Sequence, residues 1–307
     1  MNKQKTRPFR RLKLRRMHDT RRTVEPVPRR ELARRPDPFP SATPRAQAPG
    51  LLASVATLGE VEEALAFGAD LIDLKDPASG ALGAWQPGAL AAAVAAVGRR
   101  RPVSATVGDL APEASGLAAA ARRTAAAGVD MIKLGFLAGA DHRVLARNLA
   151  PLADEGLRLV AVLMADQNPD LHLPATLAAA GFFGVMLDTA DKQAGGLRHH
   201  LAGPELAMFV REARAHRLFC GLAGSLGLAD IVPLAALRPD YLGFRGALCT
   251  GDRADALDPA CGRRVREAIN RAVAAMAYLV RQDATQAQVL RLKSFAFPTA
   301  SGHAHHH

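Results

Sequence analysis

Three lysines in this chain stand where a lysine can do more than carry charge. Lys75 closes the run Asp70-Leu71-Ile72-Asp73-Leu74-Lys75-Asp76-Pro77, and Lys133 lies in Asp130-Met131-Ile132-Lys133-Leu134-Gly135. Lys192 follows Asp188 by four positions in Val185-Met186-Leu187-Asp188-Thr189-Ala190-Asp191-Lys192. From residue 51 onward the chain carries 21 arginines and only four lysines, the fourth being Lys293. Arginine is used wherever a plain surface cation suffices. A retained lysine therefore marks a position where guanidinium cannot substitute, above all an amine that must lose its proton to attack a carbonyl. In the first run, period-two alternation puts Leu71, Asp73 and Lys75 on one face and Ile72 and Leu74 on the other. A carboxylate and an amine sharing one face of an apolar strand are costly to bury unless they pair or react. A lone strand-end ion pair would explain one such run, but the pattern recurs twice.

These residues need a scaffold that gathers strand ends. β-type runs fall at 51–56, 70–75, 102–107, 130–135, 158–164, 182–188, 218–223 and 240–245, with helical stretches at about 59–68, 86–99, 114–127, 141–155, 172–180, 204–216, 227–237 and 257–281. Gly68, Gly98, Gly128, Gly156 and Gly181 close several helices as C-cap chemistry requires. A Gly-x-Asp turn recurs before strands, at Gly68-Ala69-Asp70 and Gly128-Val129-Asp130, and marks a repeated αβ unit. Eight strands each followed by a helix fit a (β/α)₈ TIM barrel, an α/β fold, better than an open doubly wound sheet. The first turn, Thr57-Leu58-Gly59-Glu60, carries no GxGxxG fingerprint, so a dinucleotide site is not expected. Barrel active sites form at the C-terminal ends of the strands, which here read Lys75, Thr106, Lys133, Asp166, Asp188, Ser225 and Arg245.

Ammonium groups converging on one barrel mouth repel each other and lower the pKa of at least one, yielding a neutral amine near pH 7. Asp73 and Asp188 would balance the charge and move protons. A solvated ring of rim ion pairs is the plain alternative. Past strand seven comes Gly221-Leu222-Ala223-Gly224-Ser225 and past strand eight Gly243-Phe244-Arg245-Gly246-Ala247. Loops at those two places are the usual phosphate site of a barrel, so Gly224, Ser225, Arg245 and Gly246 are expected to bind a phosphorylated substrate. Ser104 and Thr106 face as Asp73 and Lys75 do, and Thr106 is a candidate ligand contact. Asp109 reads as a cap for the following helix. The loop Asp76–Gly83 either closes over the ligand or merely connects. His172, His199, His200 and His216 show no metal-ligand spacing, and Trp85 reads as packing.

Charge separates the chain into parts. Residues 1–50 hold 15 Lys and Arg against four Asp and Glu, a net of +11 that equals the charge of all 307 residues. The expected organisation is a disordered basic tail over 1–49, a barrel over 50–282 and a C-terminal extension over 283–307 that ends in His303-Ala304-His305-His306-His307. A net-neutral barrel predicts no nucleic-acid binding of its own. No apolar run reaches membrane-span length. Cys220, Cys249 and Cys261 have neither disulfide nor metal spacing, so a reducing cytoplasm, no metal and no cofactor are expected. Alanine-rich outer helices predict a homo-oligomer.

Taken together, the run Ile72–Pro77 with Gly80 and Leu82-Gly83, then Ser104-Ala105-Thr106-Val107-Gly108-Asp109, Ile132–Gly135, Met186–Ala190 with Lys192, Leu222–Ser225 and Arg245–Ala247 resembles the (5-formylfuran-3-yl)methyl phosphate synthase family over about residues 51–270. The resemblance implies a lyase that condenses two molecules of glyceraldehyde 3-phosphate, with loss of phosphate and water, into the furan of a methanofuran-type one-carbon coenzyme. It further implies Lys75 as the Schiff-base lysine and Lys133 as the proton acceptor, with Asp73, Asp188 and Lys192 assisting. A class I aldolase acting on another phosphorylated sugar would share the same lysine and phosphate loops. A non-catalytic barrel tethered to nucleic acid by its tail would leave the lysine placement unexplained.

Overall fold

The computed structural model describes residues 49–296, with side chains through residue 278. The tail expected over 1–49 therefore lies, but for Pro49, outside the described residues, as do the histidines of 303–307. Eight strands, β1 (Gly50–Val55), β2 (Leu71–Leu74), β3 (Val103–Thr106), β4 (Met131–Phe136), β5 (Leu159–Met164), β6 (Gly184–Asp188), β7 (Phe219–Leu222) and β8 (Tyr241–Phe244), close in chain order into one barrel. Every pairing is parallel, and the seam joins Leu51 of β1 to Leu242 of β8.

The helices α1 (Leu58–Ala66), α2 (Pro87–Val97), α3 (Ala114–Ala126), α4 (His142–Asp154), α5 (Leu173–Ala179), α7 (Gly203–Ala215) and α8 (Leu228–Ala235) occupy the expected connections. A four-residue α6 (Leu197–His200) was not expected, and α9 (Pro259–Ala296) continues well past the boundary expected near 281. Among the described residues no helix is long and apolar enough to cross a membrane.

Strand alternation sorts the side chains into two cores. Leu51, Ala53, Ile72, Leu74, Ile132, Leu134, Val185 and Leu187 point outward against the helices. Leu52, Leu71, Met131, Val160, Val162, Met186 and Tyr241 point into the barrel. Burying each such Leu, Val or Met contributes about 1.5–3 kcal/mol, which offsets the cost of the ions held above them. The recurring Gly-x-Asp turn has a specific job at the base of this sheet. Asp70 and Asp130 each use a side-chain oxygen to accept a backbone N–H at the start of the preceding strand, within its first two residues, from Leu51 at 2.7 Å and Val103 at 2.8 Å. Asp240 does the same for Cys220 at 2.7 Å.

Tyr241 seals the floor. Its ring stacks on Phe219 with centroids 5.0 Å apart and lies over Gly221, where a Cβ would stand 2.1 Å from the ring. Only glycine lets the ring lie there. With the base closed in this way, the polar interior is reached from the C-terminal mouth.

Candidate active site

Two tiers of charge are stacked inside the barrel. In the lower tier β2 carries Asp73 and β4 carries Lys133, which are 1 % and 3 % exposed. The Lys133 Nζ lies 2.9 Å from Asp73 Oδ1. The Ser104 hydroxyl donates to the same oxygen at 2.6 Å, and the Ser54 hydroxyl donates to Oδ2 at 2.9 Å. The register explains the meeting, because Ser54, Asp73 and Ser104 are level across β1, β2 and β3. Burial alone would raise the Asp73 carboxyl, but the ammonium groups of Lys133 and Lys75 and the Ser104 hydroxyl outweigh it and hold it below the usual carboxylate range. Burial pushes the Lys133 amine the other way, below the ordinary lysine range, with Asp73 opposing and Lys75 adding to the shift. The Tyr241 ring lies beneath that amine, its centroid 5.9 Å from Nζ.

The upper tier opens onto solvent. Lys75, just past β2, places Nζ 3.3 Å from Asp188 Oδ2, while Lys192 takes Asp188 Oδ1 and the Thr189 carbonyl. Asp188 Oδ1 also accepts the Thr189 N–H at 2.8 Å. Burial would raise the Asp188 carboxyl, but Lys75 and Lys192 hold it ionised well below its usual range. Burial lowers the Lys192 amine, Asp188 opposes, and the cations of Lys75 and Arg253 add to the lowering. Lys75, Asp188 and Lys192 line a cavity of about 800 Å³ at the mouth, together with Gly224, Ser225 and Gly246. Asp73 and Lys133 lie beneath it. Three ammonium groups against two carboxylates leave an excess cation, which is relieved when one amine loses its proton. The arrangement can form an imine at the amine that lines the cavity and move a proton at the one beneath it.

The Gly224-Ser225 turn is built from two successive left-handed residues, at φ 107° and 49°. A side chain at Gly224 would crowd the Thr189 N–H at 3.2 Å, so this turn packs its bare backbone beside the β6 loop that carries Lys192.

Two expected ligand contacts are used otherwise. The Thr106 hydroxyl donates to the Gly83 carbonyl at 2.8 Å, and Thr106 does not line the cavity. Arg245 lines the cavity but spends its guanidinium on the protein. It donates to Glu60 Oε2 and Oε1 at 2.6 and 3.1 Å, to the carbonyls of Ser54 and Asp255 at 3.3 and 2.7 Å, and through Nε to the Arg253 carbonyl at 2.8 Å. A guanidinium has five N–H groups, and all five are taken.

Asp109 is not the helix cap it resembled. It accepts the Leu82 N–H at 2.9 Å and fastens the Asp76–Gly83 loop, which buries Leu82 over Gly135 and turns Pro77, Gly80 and Ala81 toward the cavity as a fixed wall. Asp166 holds the β6 loop in a similar way, accepting from the Ala190 and Asp191 N–H groups at 2.8 and 2.7 Å. His172, His199 and His216 are exposed, and Trp85 packs against the outer core.

The family model described as 4-HFC-P synthase matches residues 51–266, which take in all eight strands but for Gly50 and every residue of both tiers. The chain belongs to the 4-HFC-P synthase family. Relatives agree with it. A Methylorubrum extorquens protein provisionally named (5-formylfuran-3-yl)methyl phosphate synthase is 49 % identical over 222 residues, covering 72 % of this chain and 90 % of its own. The (5-formylfuran-3-yl)methyl phosphate synthase of Archaeoglobus fulgidus is 31 % identical over 233 residues, covering 72 % of this chain and 99 % of its own. Among solved structures, 3-hexulose-6-phosphate synthase from Salmonella typhimurium superposes with a TM-score of 0.51 at 16 % identity, covering 73 % of this chain and 99 % of its own. That likeness shows the barrel fold alone.

In this member of the 4-HFC-P synthase family, three site residues escaped the sequence reading. Ser54 is the polar residue among apolar neighbours in β1, on the same alternation as Leu52, and that alternation was a usable signal. Glu60 sits in the first turn of α1, where an acidic residue looks like ordinary helix-end chemistry. Arg253 lies in an irregular loop with no periodicity to mark it.

Proposed function

We propose that this protein condenses two molecules of glyceraldehyde 3-phosphate into (5-formylfuran-3-yl)methyl phosphate, with release of phosphate and water, through an imine on Lys75. The observation that carries this reading is the position of Lys75. Of the two innermost lysines it is the one that reaches the cavity, while it shares Asp188 with Lys192 and stands above Lys133. An amine attacks a carbonyl only as the free base, and Lys75 meets the cavity beside a carboxylate that can take part in the proton transfer. Water leaves as the imine forms at the keto carbon of a triose phosphate.

Lys133, whose amine burial pulls below the ordinary lysine range, is placed to take a proton alpha to that carbon, first when glyceraldehyde 3-phosphate is isomerised and again when the enamine is made. Asp73 stabilises the resulting ammonium of Lys133. Asp188 orients Lys75 and Lys192, and Lys192 can return a proton as oxygen leaves. The product serves a methanofuran-type coenzyme in the family reading.

The test is to incubate the protein with glyceraldehyde 3-phosphate or dihydroxyacetone phosphate, reduce with borohydride and map the adduct by mass spectrometry. An adduct on Lys75, absent from a folded Lys75→Arg variant, is the expected result. Turnover with no adduct on any lysine would remove the imine and leave electrostatic enolisation. Ultraviolet absorption of the product separates furan formation from simple aldol condensation.

A further inference from the structure

Past β8 the chain turns through Gly246–Leu248, and residues 249–258 form a loop at the mouth of the barrel. The loop is stapled at its base, where Cys249 bridges to Leu257 and the Asp258 N–H donates to the Leu248 carbonyl at 2.8 Å. Its crest is fixed from below. Arg245 donates to the carbonyls of Arg253 and Asp255, and Glu60 accepts the Leu257 N–H at 3.3 Å while pairing with Arg245. The backbone of Arg253 is thus held, and its half-buried side chain lines the cavity beside Lys192, Ser225 and Gly246.

Among the described residues the Arg253 guanidinium makes no hydrogen bond or ion pair. None of the carboxylates that share the mouth pairs with it. Asp188 holds the two lysines, Asp191 accepts the Gln193 N–H at 2.8 Å, and Asp252 accepts the Ala254 N–H at 3.3 Å. A planar five-donor cation without a counter-ion, at the rim of a cavity floored by glycine turns, matches a phosphate dianion in charge and geometry.

We propose that Arg253 grips the phosphate of the substrate at the barrel mouth, and that Arg245 and Glu60 are positioning residues that hold its loop. The proposal rests on the phosphorylated substrate of the preceding reading and adds the residue that recognises it. Arg245 was the arginine the strand-end position suggested, and its saturation passes the role eight residues along the chain.

The experiment uses glycerol 3-phosphate, which has the phosphate and no carbonyl, so binding is measured apart from any imine. Titration calorimetry on the full chain should show binding to wild type that Arg253→Ala weakens about tenfold or more, as expected for losing a charge-assisted pair of hydrogen bonds. Arg253→Lys should recover part of it. In borohydride trapping, Arg253→Ala should slow adduct formation with glyceraldehyde 3-phosphate at least about tenfold more than that with unphosphorylated glyceraldehyde. Equal slowing with both aldehydes, unchanged affinity for glycerol 3-phosphate in Arg253→Ala, or no binding by wild type would each overturn the assignment. Failure of trapping alone, with the calorimetric difference intact, would overturn the imine and keep the phosphate grip.

Discussion

At the scale of single residues, the pair Lys133 and Asp73 makes the sharpest statement about pH. Burial lowers the amine and the neighbouring cations lower the carboxyl, so both titrate below their ordinary ranges. A protonated Lys133 cannot accept a proton, so activity is lost as pH falls through the pKa of its amine. That limb of the kcat/KM profile should have its midpoint below the roughly 10.4 of a free lysine. Lys133→Arg keeps the charge and should abolish the limb, lowering kcat about 100-fold or more if the fold is retained by circular dichroism. An unchanged limb in that variant would remove Lys133 as the base. Asp73 runs in the opposite sense. Its ion-pair contribution to stability is present above the unfolded carboxyl pKa of about 3.9 and is lost only as pH falls through its lower folded value. Lys75, Lys133, Asp73 and Asp188 were legible in the sequence because type and alternation both marked them. Arg245 was misread for a physical reason, since its strand-end position is blind to a Glu60 that lies 185 residues earlier and takes its donors.

At the scale of elements, the eight strands were legible because short apolar β-type runs alternate with alanine-rich helical stretches and glycines punctuate the turns. The short α6 was not, since four residues cannot display a helical period. The pairing that ties α1 to the end of β8 is a matter of long-range contact and had no local mark. Glu60 accepts from Arg245 twice, from the Ala56 N–H at 2.6 Å and from Leu257, all in a buried site. Glu60→Gln leaves the guanidinium charge unpaired there and should cost about 3–5 kcal/mol of stability. Denaturant unfolding measures this directly, and a loss under about 1 kcal/mol would show that the pair is not what fastens the loop. The same variant should weaken glycerol 3-phosphate, because the loop that carries Arg253 loses its anchor.

At the scale of the molecule, the site uses residues from Ser54 to Arg253, while the excess charge lies in residues 1–50. A chain shortened to begin at Gly50 should keep turnover within about twofold, since no residue of either tier is removed. A folded but inactive shortened chain would place part of the site in the tail. The barrel itself closes where β8 meets β1, and this seam is also where Glu60, Arg245 and the loop of residues 249–258 converge. Contacts between such distant parts of a chain carry the heaviest loop-closure cost and are formed late in folding. Interactions absent from the transition state govern how quickly a native protein comes apart. The stability lost in Glu60→Gln should therefore appear as faster unfolding with refolding little changed. A ligand bridging the seam through Arg253 would act as a latch, making the loaded enzyme slower to open than the empty one.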